Sequence, residues 1–151
     1  MRGTMQAALE TPAPTDAARQ LAWLGLLPFV GGALLVWLVD ARAHPYVTLA
    51  LSSYAALIVS FLGGIHWGLA MRQSAPAVSL LGWGVCASLL AWVAVLMPPN
   101  AGLVIEGALL VAAYLVDRRV YPREGLARWL TLRFRLTAIG ALSCFVAAAG
   151  A

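Results

Sequence analysis

From Val47 to Met71 the chain runs for 25 residues without a single Asp, Glu, Lys or Arg. A bilayer core of about 30 Å is crossed by about 20 helical residues. Backbone in hydrocarbon must satisfy its own hydrogen bonds, so a run of this kind commits to a membrane helix. Within it small residues return at every fourth position, at Ser52, Ala56, Ser60, Gly64 and Gly68. On a helix these form one slowly winding ridge, with Gly63 beside it, where a neighbouring backbone can come close. The ridge is expected to be helix-packing surface. His66 leaves it, lying about 200° from Gly64 and sharing a face with Val59, Leu62 and Gly63.

Four further apolar runs flank this one, at about 21–39, 78–97, 101–116 and 136–149. Pro28 in the first removes the donor to the Leu24 carbonyl and predicts a kink between those residues. The last two runs are short for a full crossing, and 101–116 carries Glu106. Charge asymmetry decides for them. With five spans, Arg2, Arg19, Arg72, Arg118, Arg119, Arg123, Arg128, Arg133 and Arg135 share one side and only Arg42 lies on the other. Removing the fourth span would reduce nine against one to three against seven. Cytoplasmic loops collect arginine, so the N-terminus is expected inside and the C-terminus outside. The reading is an all-α integral membrane bundle of five transmembrane helices, in the bacterial inner membrane or, alternatively, the mitochondrial inner membrane. It forms one domain over residues 20–151 behind a flexible tail at 1–19, its first apolar run reading as an uncleaved signal anchor. Between Glu124 and Arg135, Leu126, Trp129 and Leu130 share a face, which predicts a short interfacial helix from which Arg133 would snorkel.

Only 11% of residues are charged, against about 25% in soluble domains, and mean hydropathy is +0.86. The net charge of +4 therefore points to anionic lipid headgroups, through Arg118, Arg119, Arg123, Arg128 and Arg133, and away from nucleic acid. Cys86 and Cys144 fall inside apolar runs and read as small buried hydrophobes. No CxxC, HExxH, GxSxG, P-loop or catalytically spaced carboxylate pair occurs, so no enzymatic activity, metal or cofactor is expected.

Three constellations remain as candidate functional polar residues. His66 with Trp67 offers an imidazole that could relay protons, face a quinone or haem, or make one interhelical hydrogen bond. Haem through two histidines is disfavoured, because the second, His44, falls in an outer loop. Glu106 should be neutral, paired or near the surface, since an ionised carboxylate at mid-bilayer costs about 3 kcal/mol or more. It is expected about 13 Å in depth from His66, with His44 the better-placed partner. Asp117 and Arg135 end and begin adjacent spans on one side, where an ion pair could close the bundle.

The segments YAALIVSFLGGIHWGLAMR (54–72), GLLPF (25–29) and LRFRLTAIGALSC (132–144) resemble the transmembrane protein 69-like family, a domain of unknown function found in small multi-span proteins. That resemblance implies a location and an architecture and carries over no catalytic residue. The expected function is a non-enzymatic assembly, accessory or structural membrane factor, possessing a membrane-protein complex as partner. The alternatives are a small proton or solute transporter or channel using His66 and Glu106, and quinone or haem binding near His66 and Trp67.

Overall fold

The computed structural model describes residues 13–151, so residues 1–12 of the tail expected over 1–19 lie outside the described residues, while from Asp16 onward that stretch is helical. Among the described residues, five helical spans long and apolar enough to cross a membrane follow one another, and the chain is a multi-pass membrane protein. The first span is broken in two, α1 (Asp16–Leu24) and α2 (Leu27–Leu38). The break falls at Gly25 and Leu26, as the missing N–H of Pro28 predicts. Tyr54 donates its hydroxyl to the Gly25 carbonyl at 2.7 Å, which satisfies an acceptor left open at the break.

The remaining spans are α3 (His44–Met71), α4 (Val78–Leu96), α5 (Pro99–Val120) and α6 (Leu130–Gly150). α3 is the central post and packs against α2, α4, α5 and α6, while α6 closes the bundle against α5 and α2. The core is built from small and branched residues, Ala55, Val59, Ala87, Ala91, Leu103 and Cys144 among them. Leu34, Leu57, Phe61 and Trp92 face outward, as side chains in contact with lipid tails would. Short links make successive spans alternate in direction. Arg72, Arg118, Arg119, Arg123, Arg128 and Arg135 are consequently exposed at one end of the bundle. At the other end His44 Nε2 donates to the Gly150 carbonyl at 2.9 Å and Trp37 Nε1 to that of Val146 at 3.2 Å.

Several expectations need correction. No separate interfacial helix is present among the described residues. Residues 127–129 form one 3-10 turn that runs straight into α6, so the last span begins at Leu130 and not at 136. The fourth span continues past Val116 to Val120. Cys86 is exposed on α4, and only Cys144 is buried.

The ridge on α3 also divides. Ser52 is buried, but at Gly64 and Gly68 a Cβ would meet nothing within 4 Å. The close approach is one residue away, at Gly63, where a Cβ would lie 2.9 Å from the Gly84 carbonyl oxygen and 3.1 Å from its Cα. The reason is that α4 passes on the Gly63 and Trp67 side of α3, so the ridge drifts outward as it winds. Gly64→Ala and Gly68→Ala are therefore expected to raise stability by about 0.5–1 kcal/mol each, the helix-interior cost of glycine. Thermal unfolding in detergent checks this; a loss at either site would show hidden packing there.

Candidate functional site

Among the described residues, the buried charged groups of the bundle fall into two separate clusters. The first surrounds Asp117, which α5 carries inward because the helix continues beyond Val116. Its carboxylate, 1% exposed, meets α6 and α3 together. Arg133 Nε donates to Asp117 Oδ2 at 2.8 Å, and Arg133 Nη2 lies 2.7 Å from the same oxygen. Asp117 Oδ1 faces His66 Nε2 at 3.3 Å. His66, fully buried, has its other ring nitrogen 3.1 Å from the Leu62 carbonyl. A carbonyl only accepts, so Nδ1 carries a proton, and any hydrogen bond between Nε2 and Asp117 needs one more proton between them. The three side chains thus tie α3, α5 and α6 at a single point. The pairing is with Arg133 and not with Arg135, which is exposed, and Arg133 does not snorkel toward headgroups.

Tyr121, one turn after Asp117, is 3% exposed, with its ring 6.4 Å from that of His66. It lies just past the end of the fourth span. Burial first, and the Asp117 carboxylate second, push its phenol up to about 12, so it stays a hydroxyl at physiological pH. Thr137, one turn after Arg133, is buried with no hydrogen-bond partner for Oγ1. Arg133, Tyr121 and Thr137 were not anticipated as a group. Their signal was the four-residue spacing Asp117–Tyr121 and Arg133–Thr137, which places each pair on one helical face.

The second cluster is Glu106 with Ser52, whose hydroxyl donates to Glu106 Oε1 at 3.0 Å. Glu106 is fully buried and Oε2 has no partner. His44 is not its neighbour, being held at the Gly150 carbonyl. Ser52 and His66 are 14 residues apart on α3, or about 21 Å along the axis. Between the two clusters lie buried Ala55, Val59 and Leu62 on α3, with Leu109, Leu110 and Ala113 on α5.

Trp67 stands apart from both. It is 40% exposed, covers Gly84, and donates its indole N–H to the Leu81 carbonyl at 2.9 Å. With Ser60, Gly64 and Ser88 it lines an open groove on the outer surface of α3 and α4. Arg118, Arg119, Arg123 and Arg128 form an exposed collar at the arginine-rich end. Glu124 in the same region receives a hydrogen bond from Gln73 at 2.9 Å.

A family model described as a protein of unknown function, DUF3429, matches residues 14–149. Transmembrane protein 69 of Xenopus tropicalis is 38% identical over 115 residues, covering 74% of this chain and 42% of that protein. Transmembrane protein 69 of Mus musculus is 33% identical over 76 residues, covering 50% of this chain and 29% of that protein. The chain thus spans less than half the length of these relatives. No solved structure matches it.

Proposed function

The chain belongs to the DUF3429 family of proteins of unknown function, and we propose that it is a non-enzymatic accessory factor of membrane-protein assembly. The observation that carries this reading is the use of the His66–Asp117–Arg133 cluster. The buried ion pairs among the described residues join three spans to one another, with Asp117 bonded to Arg133 on one oxygen and facing His66 on the other. Such a cluster holds a fixed body, and the arginine collar gives that body a surface for anionic headgroups. The same collar supports placing this end on the cytoplasmic side of a bacterial inner membrane, or on the matrix side of a mitochondrial one.

The transporter reading requires His66 and Glu106 to share a path. The apolar layer of Val59, Leu62, Leu110 and Ala113 between their clusters argues against one. In cells lacking the protein, at least one membrane complex should lose more than half its abundance on native gels and recover on re-expression. Unchanged complexes, together with solute or proton flux through the purified protein in liposomes that Glu106→Gln abolishes, would favour the transporter reading instead.

A further inference from the structure

A cavity of about 390 Å³ opens beside the Asp117 cluster, between the first span, α3 and α6. Its size falls within the range of small-ligand pockets. Among the described residues its walls are mainly apolar and include Phe29, Leu62 and Leu136, and Tyr121, Arg133 and Thr137 supply its polar lining. The rim includes Leu21 and Phe61, which are 69% and 66% exposed and lie on lipid-facing helix surfaces. An occupant would therefore enter sideways from the bilayer, which selects a membrane-resident amphiphile over a water-soluble ligand.

The polar lining specifies the head of that amphiphile. Thr137 Oγ1 is buried without a hydrogen-bond partner where it lines the cavity, while Arg133 beside it already meets Asp117 Oδ2 at 2.7 Å. Leaving a buried donor unmatched costs about 1–3 kcal/mol, so the fitting group is an acceptor oxygen. Charge balance narrows the choice further. Arg133 is already neutralised by Asp117 at 2.7 Å, so a second carboxylate would enter beside an anion with no free cation assigned to it. A neutral ester carbonyl adds an acceptor without adding charge.

The geometry points to a lipid-binding site in which the ester-linked acyl chain of a membrane phospholipid fills this cavity, its carbonyl oxygen accepting from Thr137. The chain lies along Phe29, Leu62 and Leu136, and the headgroup emerges at the arginine-rich end. The site is separate from the role of Asp117 as a tie between helices and does not depend on the accessory function.

Native mass spectrometry of the purified full chain tests it, with 1-palmitoyl lysophosphatidylcholine, its 1-hexadecyl ether analogue and palmitate as single-chain probes. The ester should bind about fivefold to tenfold more tightly than the ether, which lacks the carbonyl. Thr137→Val, nearly isosteric and without the donor, should shrink that preference to about twofold or less while leaving the melting midpoint within a few degrees. Ala22→Phe, which fills the cavity from its lining, should abolish retention of both lipids. Equal binding of ester and ether, palmitate outcompeting the ester, or undiminished binding by a folded Ala22→Phe protein would overturn the proposal.

Discussion

Replacing Asp117 by Asn should lower stability by about 3–5 kcal/mol, the range for removing one member of a buried ion pair. The side chain keeps its size and one acceptor, so the loss isolates charge from packing. Arg133 would be left buried beside a neutral amide, with no carboxylate to neutralise it. For a chain of this length the shift corresponds to a fall of roughly 10 °C in the thermal midpoint. Arg133→Lys should lose less, because charge is retained and only the two-nitrogen approach to Oδ2 is removed. A fall of under 1 kcal/mol for Asp117→Asn, measured by equilibrium unfolding in mixed micelles, would show that the cluster does not hold the spans together.

The second large effect is expected where α3 and α4 touch backbone to backbone. Gly63→Leu would drive a side chain against the Gly84 carbonyl and Cα, and Gly84→Leu would collide with the Trp67 ring and the Gly63 carbonyl. Backbone cannot rotate aside as a flexible side chain does, so the helices must separate and lose the contacts of Ala87 and Val59 as well. The cost is expected to be about 3 kcal/mol or more at either position, at the upper end for overpacking. The contrast with Gly64 and Gly68, one and five residues further along the same helix, makes the comparison internal. Equal behaviour of Gly63→Leu and Gly64→Leu in thermal unfolding would refute this placement of α4.

The spans were legible because hydropathy over 20 residues reports the bilayer, and it needs no knowledge of neighbours. The break of the first span was legible for an equally local reason, the missing donor of Pro28. What escaped depended on partners. Asp117 and Arg133 looked like loop and headgroup residues because charge normally ends a membrane span. Two charges that neutralise each other can stay inside it, and each span then extends by a turn or more. Gly63 and Gly64 are indistinguishable as residues, and only the path of α4 decides which is contacted. His66 meets Asp117 toward the arginine-rich end of the bundle, and that partner was hidden by ending the fourth span four residues early.

The account rests on the claim that His66, Asp117 and Arg133 hold the fold and perform no chemistry. The direct measurement is a triple replacement, His66→Leu with Asp117→Leu and Arg133→Met, assayed for stability and for restoring the affected membrane complex in cells lacking the protein. Removing every member of a buried charged cluster together leaves no orphaned charge and is often neutral or stabilising. The expected result is a folded triple variant, more stable than Asp117→Asn, that restores the complex. A well-folded triple variant that fails to restore it would contradict the account, because the cluster would then supply something other than structure.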